Sequence, residues 1–267
     1  MMLRNIFLKT FHDQRRSLLW WALGILSYAL TIAAFYPAIR NMPAFNELLS
    51  AAPKELMAAF VGNFTDLTSP AGYLNSQIFF MIGPLLFVIY TIGQGSRAIA
   101  GEEENGTLDL LLANPMPRWR AVAEKFGALV LGTLGLAVVL WVGLAAGAVV
   151  VKMDINPVRL AEATFSAALL GLAFGALALA LGCAAGNRGL SIGVASGLAL
   201  ATYLLNALGA SVEQADPYRK LSPFYYATAA DPLTNGLNWG HVAVLMGLIA
   251  VFFATALFLF QRRDLAV

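Results

Sequence analysis

The chain has 267 residues, of which 59% are hydrophobic and only 12% charged. A soluble domain carries about twice that charge fraction, so a water-soluble globular fold is excluded. The net charge of +2 gives no sign of a nucleic-acid partner, and the single cysteine, Cys183, excludes an intrachain disulfide and a cysteine metal cluster.

In chain order, residues 2–17 come first. Leu3, Ile6, Phe7, Thr10 and Phe11 fall at helical spacing, while Arg4, Lys9, Arg15 and Arg16 fall largely elsewhere. Two readings fit: a basic amphipathic helix lying on the inner membrane surface, or a basic topology signal without further role. His12 belongs to this stretch.

Six apolar runs follow, at about 18–35, 78–99, 126–151, 163–185, 190–209 and 242–260. Each has the length of a membrane span, and five carry no Asp, Glu, Lys or Arg. The first is longer than the apolar core of a signal peptide and reads as a retained anchor. Together they predict an all-α fold, a single membrane domain of six transmembrane helices with no room for a separate soluble domain. An outer loop is expected at 37–77, with four prolines. A second, at 210–240, holds Pro217, Pro223, Pro232 and the aromatic run Phe224-Tyr225-Tyr226. Short half-inserted helices and a plain interfacial loop both suit that second segment. Spans four and five are joined only by Gly186-Asn187-Arg188-Gly189, which forces a tight helical hairpin. If the N-terminus is cytoplasmic, eleven Lys and Arg lie inside and six outside, which places both termini in the cytoplasm.

The chemistry missing from the spans limits function. Ion-coupled transporters keep charged side chains inside the bilayer, and these spans hold almost none. No phosphate-binding glycine loop is present either, so ATP could act only through another subunit. Ser196 and His241 fall at different depths, roughly 15–20 Å apart, which excludes a serine–histidine pair. Two distant histidines and one cysteine make no metal site.

Glycines at four-residue intervals allow close helix approach. Gly189, Gly193 and Gly197 mark one face of the fifth span as a packing or dimer seam, and Gly143/Gly147, Gly171/Gly175 and Gly182/Gly186 repeat the interval. Asn206, near the outer end of span five, and Gln77, at the outer mouth of span two, could line a path or simply reach interfacial water.

The polar stretch 101–120 stands apart. Glu102, Glu103 and Glu104 are followed by Gly106, by an amphipathic turn with Leu108 and Leu111, and by Pro115, Pro117 and Arg118. The residues predict a short amphipathic helix parallel to the membrane, ended by Pro115, whose exposed acids would face solvent or a partner.

This stretch resembles the segment between the second and third spans of type-2 ABC exporter permeases. The match runs through Glu102, Glu103, Gly106, Thr107, Leu108, Asp109, Leu110, Leu111, Leu112, Pro115, Pro117 and Arg118. Leu221-Ser222-Pro223-Phe224-Tyr225-Tyr226 with Ala230-Asp231-Pro232-Leu233 is similar to the last outer loop of such permeases. The resemblance implies that 101–120 is a coupling helix docking on a separate ATP-binding subunit, and that the N-terminal helix adds a second contact. It further implies two permease subunits, most simply a homodimer, with two ATP-binding subunits that carry ATP and Mg²⁺. No cofactor would be bound by this chain. Alternating access would follow, with spans two and five near the central path, in a prokaryotic plasma (inner) membrane. The competing expectation is an ATP-independent carrier or channel.

Overall fold

A computed structural model describes residues 6–41, 68–108, 117–209 and 213–263; the side chains of 213–215 are outside the description. Among these residues there are helices and no strands. Six helices are long and apolar enough to cross a membrane: α1 (Ile6–Arg40), α2 (Pro70–Glu104), α3 (Arg118–Val150), α4 (Pro157–Ala185), α5 (Arg188–Gly209) and, after two short helices α6 (Pro223–Thr228) and α7 (Pro232–Asn235), α8 (Trp239–Arg262).

Polar caps followed by proline set several of these starts. Ser69, Asn156, Ser222 and Asp231 each take up a backbone N–H with their side chain, and Pro70, Pro157, Pro223 and Pro232 follow at the first helical position. Proline suits that position because its missing N–H would have had no partner there. Asn238 caps α8 in the same way without a proline.

Two expectations change at the first span. Residues 6–17 are not a separate surface helix; they are the first turns of a continuous 35-residue α1. At 1.5 Å per residue this helix is about 52 Å long, well beyond a hydrocarbon core of about 30 Å. Its start is tied to α3, where the Phe7 N–H donates to Glu124 at 3.0 Å. The expected outer loop 37–77 also shrinks, since α1 runs to Arg40 and α2 begins at Pro70. Residues 42–67 lie outside the described residues.

α2 is not uniform. It contains π-helical turns at Asn75–Phe79 and Arg97–Gly101 and a break at residues 80–81. The segment expected as the last outer loop contains short helices. After a 3₁₀ stretch at Glu213–Leu221, α6 and α7 fold back on α4 and bury Phe224 and Leu233 in the main core. Phe224 sits between Phe174 of α4 and Tyr203 of α5 at 5.8 and 5.5 Å, and Ser166 donates to the Ala227 carbonyl. The expected hairpin between spans four and five is present and tighter than the sequence suggested. Gly186 ends α4 in the left-handed region at φ 62°, and α5 starts at Arg188.

α4 is the central mast: 83% of its apolar window is buried, against 17% for α1 and for α8. It packs on α2, α3, α5 and α8, while α1 leans mainly on α3. Apolar surface cannot drive this packing inside lipid, so close approach must. A Cβ on Gly95 of α2 would strike the Gly175 carbonyl of α4, and one on Gly171 would lie 2.7 Å from the Phe87 Cβ. Thr91 adds a hydrogen bond across the same seam, donating to the Gly171 carbonyl at 2.6 Å. Gly143 and Gly147 play the corresponding part between α3 and α1, against Ala29 and Ala33.

The seam expected at Gly189, Gly193 and Gly197 forms no such contact among the described residues. A Cβ at Gly193 or Gly197 meets nothing within 4 Å, and one at Gly189 meets only Asn187. Replacing Gly175 by Val should therefore cost about 1–3 kcal/mol through overpacking against Thr91 and Leu129. Gly197→Ala should leave the isolated chain unchanged. Thermal melts of both variants in detergent check the contrast.

Candidate functional site

The stretch singled out by sequence forms a junction between the ends of four spans. Its frame is a helix terminus. The Gly106 N–H bonds to the Glu103 carbonyl at 3.0 Å and the Thr107 N–H to the Glu102 carbonyl at 2.9 Å. This paired bonding requires a left-handed residue at Gly106, which has φ 67°. The Asn105 side chain adds a bond to the Gly101 carbonyl at 2.7 Å. The sequence Glu-Asn-Gly-Thr is thus the stop of α2.

With that stop in place the three glutamates fan out, and each finds a different partner. Glu102 pairs with Lys125 of α3, whose residue surface is only 3% exposed. Glu103 makes a two-pronged bond to the Arg263 guanidinium just beyond α8, at 2.6 and 2.9 Å. Glu104 accepts from the Arg188 N–H at 2.8 Å, at the positive end of α5, where a carboxylate is favoured. Arg118, the first residue of α3, donates to the Arg263 carbonyl at 2.8 Å. The Arg263 guanidinium in turn lies against Gly186, leaving no room there for a Cβ.

Of the acids expected to form a solvated or partner-facing patch, Glu102 and Glu103 are half-buried against internal partners, while Glu104 remains exposed. Adjacent helical residues do point in different directions, but here an internal partner waits in each direction. Leu108 is likewise internal, 2% exposed, in a small apolar cluster with Ile99, Val122, Leu179 and Phe260. Glu102, Glu103, Gly106, Thr107, Leu108 and Arg118 are therefore brought together, whereas Leu111 and Pro115 lie outside the described residues. Sequence reasoning missed Lys125, Arg188 and Arg263 as their partners. A signal was available in Lys125, a lone cation beside an apolar run.

The remaining expected residues lie elsewhere. Gln77 is half-buried, and its backbone carbonyl accepts from the Tyr28 hydroxyl at 2.6 Å, tying α2 to α1. Asn206 is buried in α5, with no partner for its Oδ1 among the described residues. The polar residue that bridges elements near Gln77 is Asn75, which donates to Asp231 at 2.8 Å and so holds α2 against the start of α7. His241 stacks near Tyr225 and Tyr226, at 5.4 and 5.3 Å. Ser196 instead lines a cleft between α2 and α5, about 480 Å³ in volume, walled by apolar side chains such as Leu85, Ile89, Leu200 and Tyr203 and bounded by Phe224. Among the described residues no cluster of metal-ligating side chains occurs.

A buried cation with one carboxylate partner cannot lose it cheaply. Glu102→Leu alone should destabilise the chain by about 3–5 kcal/mol, and Glu102→Leu with Lys125→Met should recover most of that loss. A thermal-melt double-mutant cycle reads both numbers.

The comparisons with known proteins agree with this architecture. No curated protein matches the chain. A family model described as ABC-2 family transporter protein matches residues 4–265. With that match over nearly its whole length, on six apolar helices, the chain belongs to the ABC-2 family of transporter proteins, as a multi-pass membrane permease.

Proposed function

We propose that this permease is the translocating subunit of an ATP-driven exporter, coupled through residues 101–120 to a separate ATP-binding subunit and cycling by alternating access. ABC-2 permeases generally work with such a subunit. The observation that carries the reading is the junction itself. α2, α3, α5 and the residue after α8 are fastened together around Glu102, Glu103 and Glu104, immediately before the segment that resembles a coupling helix. A push delivered to 109–116 would reach four spans at once through those bonds. In this assembly two ATP-binding subunits carry ATP and Mg²⁺, and this chain binds neither. Two permease copies face each other, as a homodimer, across spans two and five.

The α2–α5 cleft supports that placement. It is apolar, and a Cβ at Gly193 or Gly197 of α5 beside it would meet nothing among the described residues. The complex then sits in a prokaryotic plasma (inner) membrane with both termini and the junction in the cytoplasm. An ATP-independent carrier or channel has no observation in its favour.

Two measurements test the proposal. Glu103→Arg or Arg263→Glu alone should lower the permease-stimulated ATPase rate of the purified complex by about tenfold, the worth of a charged hydrogen bond. The double charge swap should restore it. Unchanged rates in both single variants would remove the junction from the coupling route, and transport by the chain alone in ATPase-free liposomes would replace the exporter by a carrier. For the dimer, a cysteine at Gly197 in a Cys183→Ala background should cross-link two copies on oxidation, whereas a cysteine at Leu30, exposed on α1, should not.

A further inference from the structure

The six apolar runs hold one charged residue, Arg97, near the junction end of α2. A cation inside a span is costly and is kept where a partner or a task uses it. Among the described residues no carboxylate lies within ion-pair distance of the Arg97 guanidinium, and the same holds for Arg188, the first residue of α5. Glu102 is taken by Lys125 and Glu103 by Arg263, while Glu104 meets the Arg188 backbone N–H. A further acid, Asp13, borders a polar recess together with Arg97, and Lys9 on that recess offsets it.

The two unpaired arginines come together. A Cβ on Gly101 would lie 2.9 Å from the Arg97 Cγ and 3.6 Å from the Arg188 Cδ, so both side chains run over the same bare turn of α2. That turn lies at the junction end of the α2–α5 cleft. Arg97 follows the lining residue Gly93 by one turn of α2, and Arg188 precedes the lining residue Ile192 by one turn of α5, about 6 Å beyond each wall. From Gly93 the cleft runs about 18 Å along α2 to Met81, between Leu85 and Ile89 on one side and Ser196 and Tyr203 on the other. No charged side chain lines it, and its 480 Å³ falls within the roughly 300–1,000 Å³ of ligand clefts.

An apolar slot with two free guanidiniums at one end selects a ligand by both features. A charge carried into the slot would be stripped of water with nothing to replace it, so the ligand body must be apolar. At the arginine end a cationic group meets like charge, whereas a carboxylate or phosphate meets planar forks of N–H donors. We infer that the α2–α5 cleft takes an amphiphile with an anionic head and an apolar tail, the head on Arg97 and Arg188 and the tail along Leu85 and Ile89. This names what the exporter carries and rests on the exporter reading for the direction of travel, not for the binding.

Native mass spectrometry of the purified full chain in detergent tests the assignment, with equimolar oleate, methyl oleate and oleylamine, which share one tail and differ in head charge. The expected result is an oleate adduct, one per chain, favoured several-fold over the other two. Arg97→Gln/Arg188→Gln should weaken oleate retention by about fivefold per cation removed. Arg15→Gln/Arg16→Gln removes two exposed cations from the neighbouring α1 and should leave it unchanged. Gly93→Leu, where a Cβ meets nothing within 4 Å, should fill the slot and abolish the adduct. Each variant is first melted without ligand, and if Arg188→Gln does not fold, Arg97→Gln alone takes the place of the double variant. Displacement of oleate by dioleoyl phosphatidate assigns the ligand to the bilayer lipids, and its failure to single-chain acids; both uphold the class. Equal oleate and methyl oleate adducts, oleylamine bound most strongly, or no adduct because a second copy fills the cleft would overturn it. So would unchanged retention in Arg97→Gln/Arg188→Gln or in Gly93→Leu, or an equal loss in Arg15→Gln/Arg16→Gln. These adducts are read without the ATP-binding subunit, so they stand if the junction proves not to couple, and their failure with coupling intact rejects the ligand class alone.

Discussion

The arrangement rests on the approach of α2 to α4. Inside lipid, side chains gain nothing by leaving apolar surroundings, so helices hold one another only where backbones come close enough for dispersion and polar contacts. Gly95 facing the Gly175 carbonyl, Gly171 beneath Phe87, and Thr91 bonding to the Gly171 carbonyl provide that approach. With α2 fixed on the mast, its last turn is carried to the level where Lys125, Arg188 and Arg263 stand. The helix stop at Gly106 then aims the glutamates. The same placement leaves α5 with one face on α4 and the other open beside the cleft.

Under the coupling reading, this geometry changes what the acidic triplet does. Glu102 and Glu103 are then the joint behind the surface a partner grips, while Glu104 stays exposed. A lever is useful only if its fulcrum is stiff, and the pair of Glu102 with nearly buried Lys125 is the most buried ion pair of the junction. The exposed ion pairs elsewhere, such as Arg219 with Asp216, contribute little by comparison.

Much of the fold was legible because apolar length and helix punctuation are local properties. Six apolar runs, five of them uncharged, gave six long helices, and Gly186 gave the tight turn between α4 and α5. Prolines were harder. At Pro70, Pro157, Pro223 and Pro232 each follows a capping residue and starts a helix, so reading the first two as loop material hid the first turns of α2 and α4, while α6 and α7 fall where short helices were one of two readings. The partners of the glutamates stand 23, 84 and 160 residues away, and only Lys125, a lone cation beside an apolar run, carries a local mark. Glycine spacing showed the same limit. The interval was equally regular at Gly171/Gly175 and at Gly193/Gly197, and only the position of α4 decides that the first pair is packed inside the chain and the second is open.

The joint also has an order of assembly. Glu103 emerges from the ribosome long before Arg263, which follows the sixth span and is the group that closes over both Glu103 and Gly186. While the earlier spans are being inserted, Glu103 has no guanidinium to meet and the turn between the fourth and fifth spans has no lid. The junction is completed by the last span to arrive, so a chain stalled or truncated before that point holds its helices in lipid with the joint unfastened. Membrane insertion and closure of the junction are in this way separate events in the life of the protein.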